Sequence, residues 1–189
     1  MAEKLQAPDF PTLWKVTDRL EKAAIPYMLT GSMAVNVYGH ARATNDFDMV
    51  IQIGPKNVKT LLKLFEKDFY ISEEALREAV RQESMFNIID NETIFKVDFI
   101  IAKNDAFSKQ QFARRQGIKV ADKTIYVISP EDLILSKLEW SRESLSEIQE
   151  RDIKNILKTL GSSLDKQYLG KWSAINGQEE RLKKLYETV

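Results

Sequence analysis

The chain has 189 residues, 43% of them apolar, enough for one domain with a real hydrophobic core. Lys plus Arg number 28 and Asp plus Glu 28, so no global field draws the protein toward nucleic acid or an anionic membrane. There is no cysteine and a single histidine, which excludes disulfides, thiolate metal sites and any mechanism needing two imidazoles. From the N-terminus, MAEKLQAPDF lacks the apolar core of a signal peptide, and no later apolar run reaches the ~18–20 residues of a membrane span. A cytoplasmic location without membrane partners is therefore expected. Leu13, Val16, Leu20 and Ala24 recur at helical spacing, with Pro11 near the start and Pro26 as the stop. PYMLT reads as a short buried strand, GSMAVNVYGH as a helix with Gly39 near its end, and DFDMVIQI as an alternating strand broken at Gly54-Pro55.

KNVKTLLKLFEKD and SEEALREAVRQ are amphipathic helices, the second capped by Ser72. SMFNIID and TIFKVDFIIA read as a hairpin joined at Asn91-Glu92, followed by a helix ending at Gly117 and a smaller hairpin around Asp122-Lys123. From Ser129, which caps a helix opening on Pro130, the pattern is wholly helical, with a second helix from about Ser144 to Gly161 and two shorter pieces after it. This order predicts an α/β (α+β) fold, a mixed sheet flanked by helices. Residues 1–128 form the expected core and 129–189 a helical C-terminal part packed on it.

Three acids interrupt otherwise apolar strands. In DFDMVIQI, Asp46 and Asp48 are two apart and so project from one face, about 6.6 Å from each other along the strand. Paired carboxylates of this kind suit two Mg²⁺ ions about 3.5–4 Å apart. Asp98 in FKVDFII lies out of phase with Val97 and Phe99, and an acid in mid-strand is unfavourable unless paired or metal-bound. Gly31-Ser32 opens a helix whose N-terminal N–H groups offer an anion site that glycine lets a phosphate approach.

A Gly-Ser helix opening, then a D-h-D strand, then a lone strand Asp, resembles the DNA polymerase β-like nucleotidyltransferase superfamily. GSMAVNVYGHARATNDFD is similar to its small prokaryotic branch, which includes abortive-infection toxins; there an Arg-x-Thr segment, matched by Arg42 and Thr44, precedes the acidic pair. SPEDLILSKLEW followed by ERDIKNIL places Lys137 and Asp152 where that branch has a helical lysine and an Arg-Asp pair, so the likeness spans about 26–160. Two positions depart from the pattern: Thr30 stands where several relatives have glycine, and Phe47 is bulkier than the usual aliphatic residue.

The resemblance implies a nucleotidyltransferase-like fold and transfer of an NMP from an NTP to a hydroxyl acceptor. Asp46, Asp48 and Asp98 would be the catalytic metal ligands for Mg²⁺, two ions, with Mn²⁺ as a substitute. Gly31, Ser32, Arg42, Thr44 and Lys137 would bind the nucleotide. The acceptor, whether RNA, protein or small molecule, and an antitoxin partner are left open by the chain. The competing readings are an inactive nucleotide- or partner-binding module of the same fold and a metal-dependent phosphohydrolase, the latter weakened by the single histidine. Taken singly, each residue has a plainer role: Asp98 in a salt bridge to Lys96 or Arg42, Arg42 in one to Asp46 or Asp48, Lys137 on a solvated helix face, Asp152 orienting Lys137, His40 at a helix end, and Trp14, Trp140 and Trp172 in packing.

Overall fold

The computed structural model describes residues 11–39, 43–44, 46–120, 122–144 and 146–189, without the side chains of 142–144. The chain runs α1 (Pro11–Lys22), β1 (Tyr27–Thr30), α2 (Gly31–Tyr38), β2 (Asp46–Ile51), a 3₁₀ turn (Pro55–Asn57), α3 (Val58–Phe65), β3 (Phe69–Ile71), α4 (Glu73–Gln82), β4 (Met85–Asp90), β5 (Lys96–Ile101), α5 (Ala106–Ala113), β6 (Gln116–Val120), β7 (Lys123–Val127), α6 (Pro130–Ser144), α7 (Glu147–Leu160), α8 (Lys166–Ile175) and α9 (Glu179–Glu187). Among the described residues the strands form one seven-stranded sheet in the order β3-β4-β5-β2-β1-β7-β6. It is mixed: β2 pairs β5 and β1 pairs β7 in parallel, and the other neighbours are antiparallel.

The period-two pattern sorts the two central strands into faces. On β2 the side chains of Phe47, Met49 and Ile51 are buried, while Asp46, Asp48 and Val50 are part-exposed. On β5 Val97, Phe99 and Ile101 share the apolar face, and Lys96, Asp98 and Ile100 the other. Phe99 packs on Phe65 of α3 at 5.8 Å and on Phe86 of β4 at 5.3 Å, and the Arg19 guanidinium of α1 lies 5.2 Å from the Phe69 ring. Burying a Phe of this kind is worth about 2–3 kcal/mol.

The opposite face is covered by helices that follow the strands. The Tyr38 hydroxyl of α2 donates to the Ile128 carbonyl at 2.8 Å, and Ile128, Leu133, Ile134, Leu135 and Leu138 join the same core. Ser129 caps α6 by accepting the Asp132 N–H at 3.2 Å, and its hydroxyl donates to the Asp132 carboxylate at 2.6 Å. Arg114 ties this corner to α8: it pairs with Glu131 at 3.0 Å and lies 3.9 Å over the Tyr168 ring, whose hydroxyl donates to Asp132 at 2.7 Å.

Local details depart from the sequence reading. Strand β3 is three residues long, too short to show alternation. The helix expected to end at Gly117 ends at Ala113, because Gly117 pairs with Tyr126 in the β6–β7 ladder. The β4–β5 turn spans 91–95 rather than two residues, and is closed by Ile94 N–H to the Asp90 carbonyl and Asp90 N–H to the Phe95 carbonyl. Asp90, fully buried, accepts the Thr12 hydroxyl at 2.8 Å and the Glu92 N–H at 3.0 Å, anchoring that turn to α1. The second hairpin turns before Lys123, which pairs with Val120. The helix read as beginning near Ser144 begins at Glu147 behind Ser146. Among the described residues no helix is long and apolar enough to cross a membrane.

Candidate active site

Three strands carry the site in one row. Thr30, the last residue of β1, lies opposite Asp48 on β2, and Asp48 lies beside Asp98 on β5. Adjacent strands are about 4.8 Å apart, so residues 30, 48 and 98 are nearest neighbours across the sheet. Asp46 is one step along β2 on the same face, beside Lys96. The three predicted acids therefore converge, although Asp48 and Asp98 come from distant parts of the chain.

The turn from β1 into α2 closes over Asp48. Gly31 sits at φ +61°, and a Cβ placed there would stand 1.8 Å from Asp48 Oδ2 and 2.8 Å from Asp48 Cβ. Only glycine permits that approach. The Ser32 backbone N–H then hydrogen-bonds the Asp48 carboxylate.

Each acid has at least one donor among the described residues. The Thr44 hydroxyl donates to Asp46 Oδ1 at 2.7 Å, Ser32 N–H reaches Asp48, and Lys96 Nζ reaches Asp98 Oδ2 at 2.7 Å and Asp46 Oδ2 at 3.8 Å. Asp98 is only 5% exposed, and its Oδ1 is buried without a hydrogen-bond partner among the described residues. Burial first, then the charges of Asp46 and Asp98, push the Asp48 carboxyl from its ordinary 3.8 up to about 6, against the opposing pull of Lys137 and the Ser32 N–H.

Lys137 of α6 is 2% exposed, not on a solvated face. Its ammonium donates to Asp152 at 3.0 Å and to Gln149 at 2.8 Å, both on α7. Asp152 thus faces Lys137. A buried ion pair that loses one partner leaves a desolvated charge behind. Asp152→Ala is therefore expected to lower stability by about 3 kcal/mol, read by chemical denaturation; a change below about 0.5 kcal/mol would show that the pair is not desolvated.

A cleft of about 760 Å³ opens beside Asp48, lined also by Ser84, Met85, Ile100, Lys103 and Trp140. Trp140, expected to be a packing residue, is 39% exposed in this wall, and Gln149 joins the lining. Trp140 reads in the sequence as a packing residue and Gln149 has no reading there, because a helical Trp or Gln carries no signal of facing a cavity. Arg42 and His40 lie outside the described residues.

Among the described residues, no group of three or more His, Cys, Asp or Glu side chains is arranged so as to hold a metal ion as it stands. Their chemistry fits a hard divalent cation nonetheless. The donors are all carboxylate oxygens on one face, one of them is buried and unpartnered, and the like charges raise one carboxyl.

No family model and no curated sequence matches the chain. Solved structures do, and the fold they share with it is that of nucleotidyltransferases. An antigenic nucleotidyltransferase-like protein from Paracoccidioides brasiliensis is 17% identical, with 93% of this chain and 91% of that one covered at TM-score 0.55. The antibiotic-resistance factor ANT(2'')-Ia in solution is 12% identical over 95% and 97% of the two chains, TM-score 0.56. The lincosamide antibiotic adenylyltransferase LnuA, lincomycin-bound, is 16% identical over 78% and 95%, TM-score 0.53.

Proposed function

We propose that this protein is a divalent-metal-dependent nucleotidyltransferase that moves an NMP from an NTP to a hydroxyl acceptor. The observation that carries the reading is the convergence of Asp46, Asp48 and Asp98 on one sheet face, against the Gly31-Ser32 helix opening. In the reaction an acceptor oxygen forms a bond to the α-phosphorus, the bond to the pyrophosphate oxygen breaks, and the acceptor proton goes to Asp98 or to water. Asp46, Asp48 and Asp98 would hold Mg²⁺, which supplies charge neutralisation to the triphosphate and lowers the pKa of the acceptor hydroxyl. Gly31 and Ser32 present backbone N–H groups to the phosphates. Lys137, held in place by Asp152 and Gln149, adds positive charge on the Asp48 side of the cleft for the leaving pyrophosphate. Arg42 and Thr44 are assigned to the nucleotide by resemblance, and Thr44 also steadies Asp46.

The cleft beside Asp48 supports a small-molecule acceptor, in keeping with an adenylyltransferase of the same fold that binds lincomycin. RNA and protein hydroxyls, the acceptors of a toxin-type enzyme, are the alternatives to be assayed alongside. The test is incubation with each α-labelled NTP and Mg²⁺ in the presence of the three acceptor classes. Label transfer is expected from the wild type and is expected to vanish in Asp46→Ala/Asp48→Ala. Equal labelling in the double variant refutes the site. Mg²⁺-dependent NTP binding with no transfer to any acceptor would instead identify a nucleotide-binding module.

A further inference from the structure

Lys96 stands two residues before Asp98 on β5 and directly beside Asp46 on β2, so its side chain projects from the acidic face. Its ammonium is 2.7 Å from Asp98 Oδ2 and 3.8 Å from Asp46 Oδ2. A surface lysine paired with a surface acid would mean little. Here one partner is almost fully buried, a second acid shares the same ammonium, and a third, Asp48, lies in the next register position. Three carboxylates on two adjoining strands repel one another. Something positive has to stand among them whenever no metal does. Among the described residues, Lys96 touches two of them, whereas Lys137 acts from the Asp48 side and hydrogen-bonds Asp152 and Gln149.

We infer that Lys96 is a built-in counter-cation of the acidic site: its ammonium holds Asp46 and Asp98 in the metal-free protein, and a divalent cation binds by displacing it. The inference rests on the metal-binding reading proposed above. Both cations draw on the same carboxylate oxygens, and a cation left beside a divalent ion would be repelled by it. The lysine therefore keeps the empty site assembled and at the same time weakens its hold on metal, making the ion exchangeable. Its side chain is 41% exposed, so the displaced head has room to swing out into solvent.

Mn²⁺ binding without nucleotide, measured by calorimetry and by the electron paramagnetic resonance of the free ion, tests this on the whole chain. Lys96→Met is expected to bind Mn²⁺ about tenfold more tightly than wild type, and Lys96→Arg to bind like wild type. The metal-free Lys96→Met protein is expected to melt lower, with the difference closed by Mn²⁺. An affinity that is unchanged or weaker in Lys96→Met overturns the inference, since a lysine that only orients Asp98 would weaken metal when removed. Should that variant not fold, nuclear magnetic resonance of the Lys96 side chain in the wild type decides: a shift on adding Mg²⁺ supports displacement, and none overturns it. Wild-type Mn²⁺ binding that is untouched by Asp46→Ala/Asp48→Ala would be a different failure, bringing down the metal-site reading itself.

Discussion

Gly31→Ala is expected to cut nucleotidyl transfer by roughly a thousandfold or more and to lower stability as well. Two independent costs meet at this one methyl group. At φ +61° an L-residue with a Cβ is strained, by about 1–2 kcal/mol. The added atom would also fall 1.8 Å from Asp48 Oδ2, far inside contact distance. Rotating the carboxylate away does not relieve the clash, because the Asp48 Cβ itself would be 2.8 Å distant. Strand β1 must then move from β2 at the Thr30–Asp48 pair, carrying the helix opening off the acids. Gly54→Ala and Gly170→Ala are the controls: nothing lies within 4 Å of a Cβ at either position, and both are expected to behave like wild type. Transfer by Gly31→Ala within tenfold of wild type, in the labelled-nucleotide assay, would mean that the turn does not shape the site.

Asp48→Asn is expected to move activity and stability in opposite directions. Transfer should fall by roughly a thousandfold or more, since a proposed metal ligand loses its charge. The metal-free protein should become more stable at neutral pH. Burial and two neighbouring carboxylates hold the Asp48 carboxyl up at about 6, against 3.8 ordinarily. Between those values the folded chain keeps a proton that the unfolded chain has released, so stability declines as pH rises through that window. The shift corresponds to about 3 kcal/mol of lost stability above pH 6, recovered in full below about pH 4. Asparagine does not ionise, so the difference between the two denaturation free energies, measured in chelator from pH 4 to 7.5, should grow with pH and level off above 6. A flat difference would show that the carboxyl is not strained by its neighbours.

Much of this is legible in the sequence. The alternation Asp46-Phe47-Asp48-Met49 assigned faces to β2, and the lone Asp98 did the same for β5, because strand periodicity is a local property. The Gly-Ser turn was legible for the same reason. What alternation cannot say is which strands are neighbours. The side-by-side placement of Asp48 and Asp98 needs β2 and β5 to pair in parallel across everything between them. Lys96 appeared in the sequence only as a plain salt-bridge partner, and its bridging of two acids emerges from that same register. For Lys137 the sequence offers a nucleotide role by resemblance and, more plainly, a solvated helix face, because α6 carries polar residues between its apolar ones. Its burial comes from α7 folding over it, which is tertiary and leaves no mark on the helix that bears it.

That parallel pairing also sets the order in which the protein becomes competent. Two segments far apart along the polypeptide must meet before all three acids share one face, and closing so long a loop is entropically slow compared with local zipping. The β1–β2 hairpin-like pair and its turn can assemble from nearby sequence, yet they hold only two of the acids. Under the proposed metal reading, tight cation capture would report complete assembly: a truncated or half-folded product with β1, α2 and β2 in place would be expected to be deaf to magnesium.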